Sequence, residues 1–230
     1  MVLLRNTGRF VENELSYLDV LQTHGEPISS VSRASEKFST SGLSCNTPVK
    51  TARGTVLARD LRAGDLVKTK DHGFQPLRWI GRSRHAARDA ALVRVLNENH
   101  SRSQMLMTAD HLVLFNSAHA ELLFGKSEVL CPARGLAVSN RLELENSATP
   151  TLCHLLFDGF ELIHAGDFWV ESLVPDIARI KAVSPDFASE IIAALPRLAH
   201  DQSIANYLQD RIVLDEREAG VLVQLEQDRC

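Results

Sequence analysis

The stretch from Ser41 to Gly81, SGLSCNTPVKTARGTVLARDLRAGDLVKTKDHGFQPLRWIG, never holds an apolar rhythm long enough for a helix before a turn signal cuts it. What rhythm there is alternates apolar and polar residues, the pattern of half-buried strands. Pro48 stiffens the chain just after Cys45. Val56 and Leu61 flank one short turn, Ala63-Gly64-Asp65 makes another, and Leu66 to Thr69 runs extended. Lys70-Asp71-His72-Gly73 turns again, and Pro76 to Ile80 reads as a second apolar strand. The same punctuation continues to about Leu173. Ala91 to Leu96, Met105 to Thr108 and Leu112 to Phe115 are expected strands. Glu121 to Phe124 with Glu128 to Cys131 suggests a hairpin through Gly125-Lys126, and Leu152 to Phe157 with Phe160 to Ala165 another through Asp158-Gly159. So many short strands between turns argue a mainly β body.

The flanks read differently. Residues 1 to about 25 carry a weak helical pattern in Phe10, Leu15, Leu18 and Leu21, and residues 26 to 44 are Ser-rich, the composition of a linker. Towards the other end, Ser184-Pro185 reads as an N-cap followed by proline at the first helical position, with apolar repeats to Pro196. Ile204, Tyr207, Leu208 and Ile212 mark a second helix, and EREAGVLVQL a third. The expected organisation is a leader and flexible linker over 1–41, a β domain over 42–176 and a helical extension over 177–230.

Charge and cysteine usage exclude several classes. The net charge of −4 comes without a basic run, so no nucleic-acid partner is expected. No apolar run reaches the length of a membrane span, and the apolar patch near Met1 is too short for a signal peptide. The cytoplasm is the default expectation. Cys45, Cys131, Cys153 and Cys230 form no CxxC pair, so neither a disulfide framework nor a zinc site nor any other cofactor is expected.

Two features carry chemistry. Cys45 is a lone thiol where the linker meets the first strand, and Thr108-Ala109-Asp110-His111 follows at the end of the expected strand Met105 to Thr108. On residue types alone, Cys45 is equally a small buried hydrophobe, and the Thr-x-x-His a turn with a satisfied histidine. The order of three blocks adds more: Cys45 to Pro48, then Leu61 to Asp65, then Asp71 to Gly81. Together with Thr108-x-x-His111 and CHLLFDGFELIHAGDFWVES, they resemble the Hint domain, the fold shared by Hedgehog autoprocessing domains and inteins, and most of all its bacterial stand-alone group. In the closing block His154, Asp158, Glu161, Ala165, Gly166, Glu171 and Ser172 fall in the group's places.

The resemblance implies a Hint-type horseshoe of short strands and a single-turnover, autocatalytic cleavage of the chain itself. Cys45 would attack the Ser44 carbonyl in an N-to-S acyl shift, a role suited to a thiol with some thiolate at neutral pH. His111 would protonate the departing nitrogen, Thr108 would orient the amide, and His154 is a fourth candidate. The thioester would pass to water or another nucleophile, the substrate being the chain's own N-terminal segment. Asp158 reads better as the first residue of its turn, and Cys131 as core. Inteins end in His-Asn, which this chain lacks anywhere, so full splicing is not expected. Hedgehog domains place an Asp after the strand where this chain has Gly81, so sterol transfer is not expected either. Asn46, Val49 and Lys50 also depart from the commoner C-F-T-P-G-T opening. The alternatives are a degenerate Hint domain serving as a binding or assembly module, and last a hydrolase or metalloenzyme using Cys45 with His111, or His154 with His164, for which no third metal ligand stands at recognisable spacing.

Overall fold

The computed structural model describes residues 41–84, 91–96, 102–139, 141–146, 148–200 and 211–228. The helical pattern expected around Phe10–Leu21 and all of the second expected helix but Ile212 lie outside these residues; Ile212 is not helical, its carbonyl accepting from the Leu130 N–H. The described part is mainly β, in two sheets. The first holds, in spatial order, β11 (Leu142–Glu145), β7 (Leu92–Leu96), β8 (Arg102–Thr108), β1 (Leu43–Ser44), β12 (Thr151–Leu156) and β6 (Trp79–Arg84). The second runs β10 (Glu128–Pro132), β9 (Leu112–Asn116), β14 (Phe168–Glu171), β13 (Leu162–Ala165), β2 (Pro48–Thr51), β4 (Leu66–Lys68) and β5 (Phe74–Pro76), with β3 (Gly54–Leu57) paired to β2. The two-residue β1 sits mid-sheet, Leu43 facing Met107 on one side and Cys153 on the other.

Alternation explains which faces close on each other. In β2, Val49 and Thr51 are buried while Lys50 between them is exposed. Leu43, Met107, Val113 and Ile163 meet in one apolar cluster; Trp79, Leu156, Phe160 and Leu162 meet in a second. Burying each large side chain contributes about 1.5–3 kcal/mol. The helical extension closes the second cluster. Here α3 (Ile177–Val183) and α4 (Pro185–Ala194) bring Ile180, Ala188 and Ile191, and a 3-10 turn at Pro196–Ala199 brings Leu198. Pro185 starts α4 and the helix stops at Leu195 before Pro196, as the sequence pattern expects. The third expected helix is present as α5 (Glu216–Gln227), opened by a capping box between Asp215 and Glu218.

Three expectations need correction. Glu121 to Phe124 is not a strand but the end of α1 (Ala118–Phe124), capped by Ser117, whose hydroxyl accepts from the His119 and Ala120 N–H groups. Gly125, at φ 72°, supplies the left-handed residue that ends the helix. The true partner of β10 is β9, so α1 is inserted into that hairpin. Nor do Leu152 to Phe157 and Phe160 to Ala165 pair: β12 lies in the first sheet and β13 in the second, and Asp158-Gly159 carries the chain across while Arg78 holds Asp158 at 2.8 Å. The run from Pro76 to Ile80 likewise divides. Pro76 ends β5, and after Leu77 the chain changes sheets to start β6. A proline cannot donate to a continuing ladder. The short α2 (Ala133–Leu136) is buried against α5, where a Cβ on Gly135 would lie 2.7 Å from that of Ala219.

Candidate active site at Ser41

Entry of the chain between β8 and β12 sets the site. With Leu43 opposite Met107, the register places Gly42 beside Thr108 at the end of β8. Gly42 N–H donates to Thr108 Oγ1 at 3.2 Å, and Thr108 N–H donates back to the Gly42 carbonyl at 3.1 Å. A turn then closes as His111 N–H donates to the Thr108 carbonyl at 3.0 Å. That turn returns the His111 imidazole to the entering chain, where Nδ1 lies 2.7 Å from Ser41 Oγ. The Ser41 hydroxyl also donates to Glu171 Oε1 at 2.6 Å, and the Leu112 N–H donates to the same oxygen at 2.9 Å. With the hydroxyl proton on the Glu171 side, the bond from His111 requires the Nδ1–H tautomer. His111 Nε2 is then a buried lone pair, and it has no hydrogen-bond partner among the described residues.

From the other side comes His154 of β12. Its Nδ1–H donates to the Ser41 carbonyl at 2.8 Å, and its Nε2 stands 2.7 Å from Ser83 Oγ of β6. The ring fills the space a side chain on residue 42 would take. A Cβ there would lie 2.9 Å from His154 Cε1 and 3.2 Å from Leu152 Cβ, so glycine is what lets the ring approach. The Ser41–Gly42 peptide is thereby held at both its carbonyl and its amide, and Ser41 Oγ sits between an imidazole and a carboxylate.

Burial sets the protonation of the cluster. His111 and Glu171 are 3% and 7% exposed. Loss of solvation, helped by the neighbouring His154, pushes His111 down to about 3, so the ring is neutral. Loss of solvation pushes Glu171 up to about 7, against the opposing bonds from Ser41 and the Leu112 N–H. Burial also lowers His154, opposed by its bond to the Ser41 carbonyl. The result is a carboxyl that exchanges its proton near neutral pH beside two neutral imidazoles.

The expected site residues therefore separate. Thr108, His111 and His154 come together, but on Ser41 and Gly42, and none of their hydrogen bonds reaches the Ser44–Cys45 peptide. That peptide is built into the sheet. The Ser44 carbonyl accepts from Thr47 N–H at 2.9 Å, and Cys45 N–H donates to the Thr151 carbonyl at 2.8 Å. The half-buried Cys45 packs on the core, its thiol in contact with Cys153, whose own thiol is pushed up by burial and then by that contact. Cys131 is fully buried and pushed up to about 12, as a core thiol should be. Asp158 is a half-exposed partner of Arg78. His164 lies in the other sheet from His154, edge-on to Trp169 at 4.8 Å. Among the described residues no group of three or more His, Cys, Asp or Glu side chains could hold a metal ion. Sequence reasoning missed the contacts of Ser41 with His111 and Glu171. The Glu171-Ser172 pair was visible as a motif, but its distance from Ser41 along the chain hid the contact.

A family model described as the Hint domain matches residues 41–177. The chain belongs to the Hint family. Solved structures similar to it include the gp41-1 intein, at 12% identity, covering 58% of this chain and 99% of that one with a TM-score of 0.35. The MchDnaB-1 intein is 13% identical, covering 56% and 98% with a TM-score of 0.36. A bacterial intein-like domain from Clostridium thermocellum is 16% identical, covering 58% and 98% with a TM-score of 0.37. No curated protein matches the chain. The family match begins at Ser41, the residue that His111, Glu171 and His154 contact.

Proposed function

We propose that this Hint domain processes its own chain once, at the junction with the preceding segment, and that the Ser41 hydroxyl is the nucleophile. One observation carries the reading: Ser41 Oγ is held between His111 Nδ1 at 2.7 Å and Glu171 Oε1 at 2.6 Å. Ionised Glu171 takes the hydroxyl proton, and Oγ bonds to the carbonyl carbon of Thr40 as the Thr40–Ser41 C–N bond breaks. The proton on Glu171 returns to the departing nitrogen. His111 orients Oγ, while Thr108 and His154 fix the Ser41–Gly42 peptide that follows it. The resulting ester passes to water or another nucleophile, giving a released segment ending in Thr40 and a domain beginning at Ser41.

A second reading keeps Cys45 as nucleophile on the Ser44 carbonyl. In its favour, the thiol is only half buried at the entry to the domain. Against it, the Ser44 carbonyl is committed to the Thr47 N–H and the Cys45 N–H to the Thr151 carbonyl, while Thr108, His111 and His154 make their hydrogen bonds at Ser41 and Gly42. Neither route needs splicing or sterol chemistry. The chain has no His-Asn pair, and a Cβ on Gly81 would fall 2.1 Å from the Trp79 ring, so no carboxylate fits there. Hydroxylamine, which opens esters and thioesters, tests the reading. Intact mass of the treated full chain should show a fragment ending in a Thr40 hydroxamate. A fragment ending at Ser44 would favour Cys45, and an unchanged full-length mass would leave a folded module without this chemistry.

A further inference from the structure

A second cluster lies on the other face of β12. His154 faces Ser41, so its neighbour Cys153 projects from the opposite face of the strand. The register sets Cys153 opposite Leu43, and the Cys45 N–H donates to the Thr151 carbonyl at 2.8 Å, which brings Cys45 to the next position along the Cys153 face. The two thiols are in contact. On the other side of β12, β6 sets Arg82 opposite Cys153. The Arg82 guanidinium donates to the Arg59 and Leu61 carbonyls at 2.9 and 3.4 Å, and the same side chain reaches the Cys153 sulfur. Cys45, Cys131 and Cys153 are free thiols.

The pair is asymmetric. Cys45 is half buried and open to a reagent from solvent, whereas Cys153 is 1% exposed and closed to one. Burial holds the Cys153 thiol protonated, the Cys45 sulfur adds to that hold, and Arg82 opposes both. A cap on Cys45 removes the share that its sulfur contributes. The permanent guanidinium charge then remains beside a thiol that must ionise to react. Cys45 opens the turn that follows β1, where a small backbone adjustment completes the geometry an S–S bond requires. The Ser41 cluster uses neither sulfur.

We propose that Cys45 and Cys153 form a thiol–disulfide exchange site for low-molecular-weight disulfides, with Cys45 attacking, Cys153 resolving and Arg82 favouring the Cys153 thiolate. The Cys45 thiolate bonds to one sulfur of glutathione disulfide as that S–S bond breaks, and the released glutathione takes up a proton in place of the one Cys45 gave to solvent. Cys153 then bonds to the Cys45 sulfur, the bond from Cys45 to glutathione breaks, and a second glutathione leaves with the Cys153 proton. Two protein thiols are oxidised to one disulfide, and one glutathione disulfide is reduced to two thiols. The product ties β1 to β12. The site does not depend on which residue attacks the chain: a cross-linked Cys45 no longer attacks the Ser44 carbonyl, and the contacts of Ser41 involve neither thiol.

Glutathione disulfide is the probe, with the full chain carrying Cys230→Ser so that the C-terminal thiol does not compete. After treatment of the folded chain, intact mass should fall by two hydrogens. Digestion without reductant should give one peptide linking Cys45 to Cys153, with Cys131 still free for alkylation. Cys153→Ala should stop at one glutathione on Cys45, with Cys153→Val as the replacement if the alanine chain does not fold. Cys45→Ala should leave Cys153 unmodified. Arg82→Gln should slow closure of the disulfide about tenfold or more near neutral pH and leave the first step unchanged, and raising the pH should recover the rate as Cys153 ionises. A glutathione that persists on Cys45 while Cys153 is present overturns the exchange site, and so does a folded chain that takes up none. Closure at the parent rate in Arg82→Gln at every pH overturns the part given to Arg82.

Discussion

At the scale of single residues, the site depends on a carboxyl kept where it is hard to ionise. Glu171 is pushed up to about 7 by burial, against about 4.3 for a solvated glutamate. Between those values the folded chain holds a proton that the unfolded chain has lost. Rising pH through this window therefore destabilises the fold, by about 1.4 kcal/mol per pH unit at most. Glu171→Gln removes this slope. Its thermal midpoint relative to the parent should climb from pH 4.5 to pH 7 and level off above, as scanning calorimetry would show. Formation of the ester should follow the opposite course to stability. In the parent it should rise with pH to a plateau above about 7, where Glu171 is a base, and Glu171→Gln should be slowed about 100-fold or more at the plateau. Gly42 offers a second test. The Cβ of Gly42→Ala would press on His154 at 2.9 Å and displace it from the Ser41 carbonyl. We expect a cost of about 1–3 kcal/mol in urea unfolding, typical of overpacking, together with slower release.

At the scale of elements, the short strands were legible because alternation and turn residues are local signals. β7, β8 and β9 lie where Ala91 to Leu96, Met105 to Thr108 and Leu112 to Phe115 predict them. Pairing was not legible. The Asp158-Gly159 turn looks like a hairpin from its residues, yet it joins two sheets, because β12 is already flanked by β1 and β6. α1 was missed although its caps, Ser117 and Gly125, are in the sequence; the apolar run Leu122-Leu123-Phe124 reads equally as strand. Ser117 also ties this helix to the C-terminus, since its hydroxyl donates to Glu226 of α5, which lies 3.0 Å from His119 as well. Ser117→Ala should thus cost about 1–2 kcal/mol in urea unfolding, the upper range for a lost N-cap. An effect below about 0.3 kcal/mol would show that the cap and its link to α5 contribute nothing to stability.

At the scale of the whole molecule, two sheets and a helical extension place three distant pieces of sequence around one residue. Thr108 and His111 come from the end of β8, Glu171 from β14, and His154 from β12, all meeting where the chain enters the domain. The Thr-x-x-His motif was readable, and so were both histidines of the cluster. Which peptide they hold was not, because it depends on the register of β1 between two strands more than sixty residues away in sequence. A single cysteine at the junction drew the reading to Cys45, four positions along. If Ser41 is the reactive residue, the N-terminus of the processed domain will show it. Sequencing or mass analysis of the hydroxylamine-treated parent, Ser41→Ala and Cys45→Ala chains should find a domain beginning at Ser41 in the parent and in Cys45→Ala, and no product from Ser41→Ala. A domain beginning at Cys45, lost in Cys45→Ala and retained in Ser41→Ala, would contradict it.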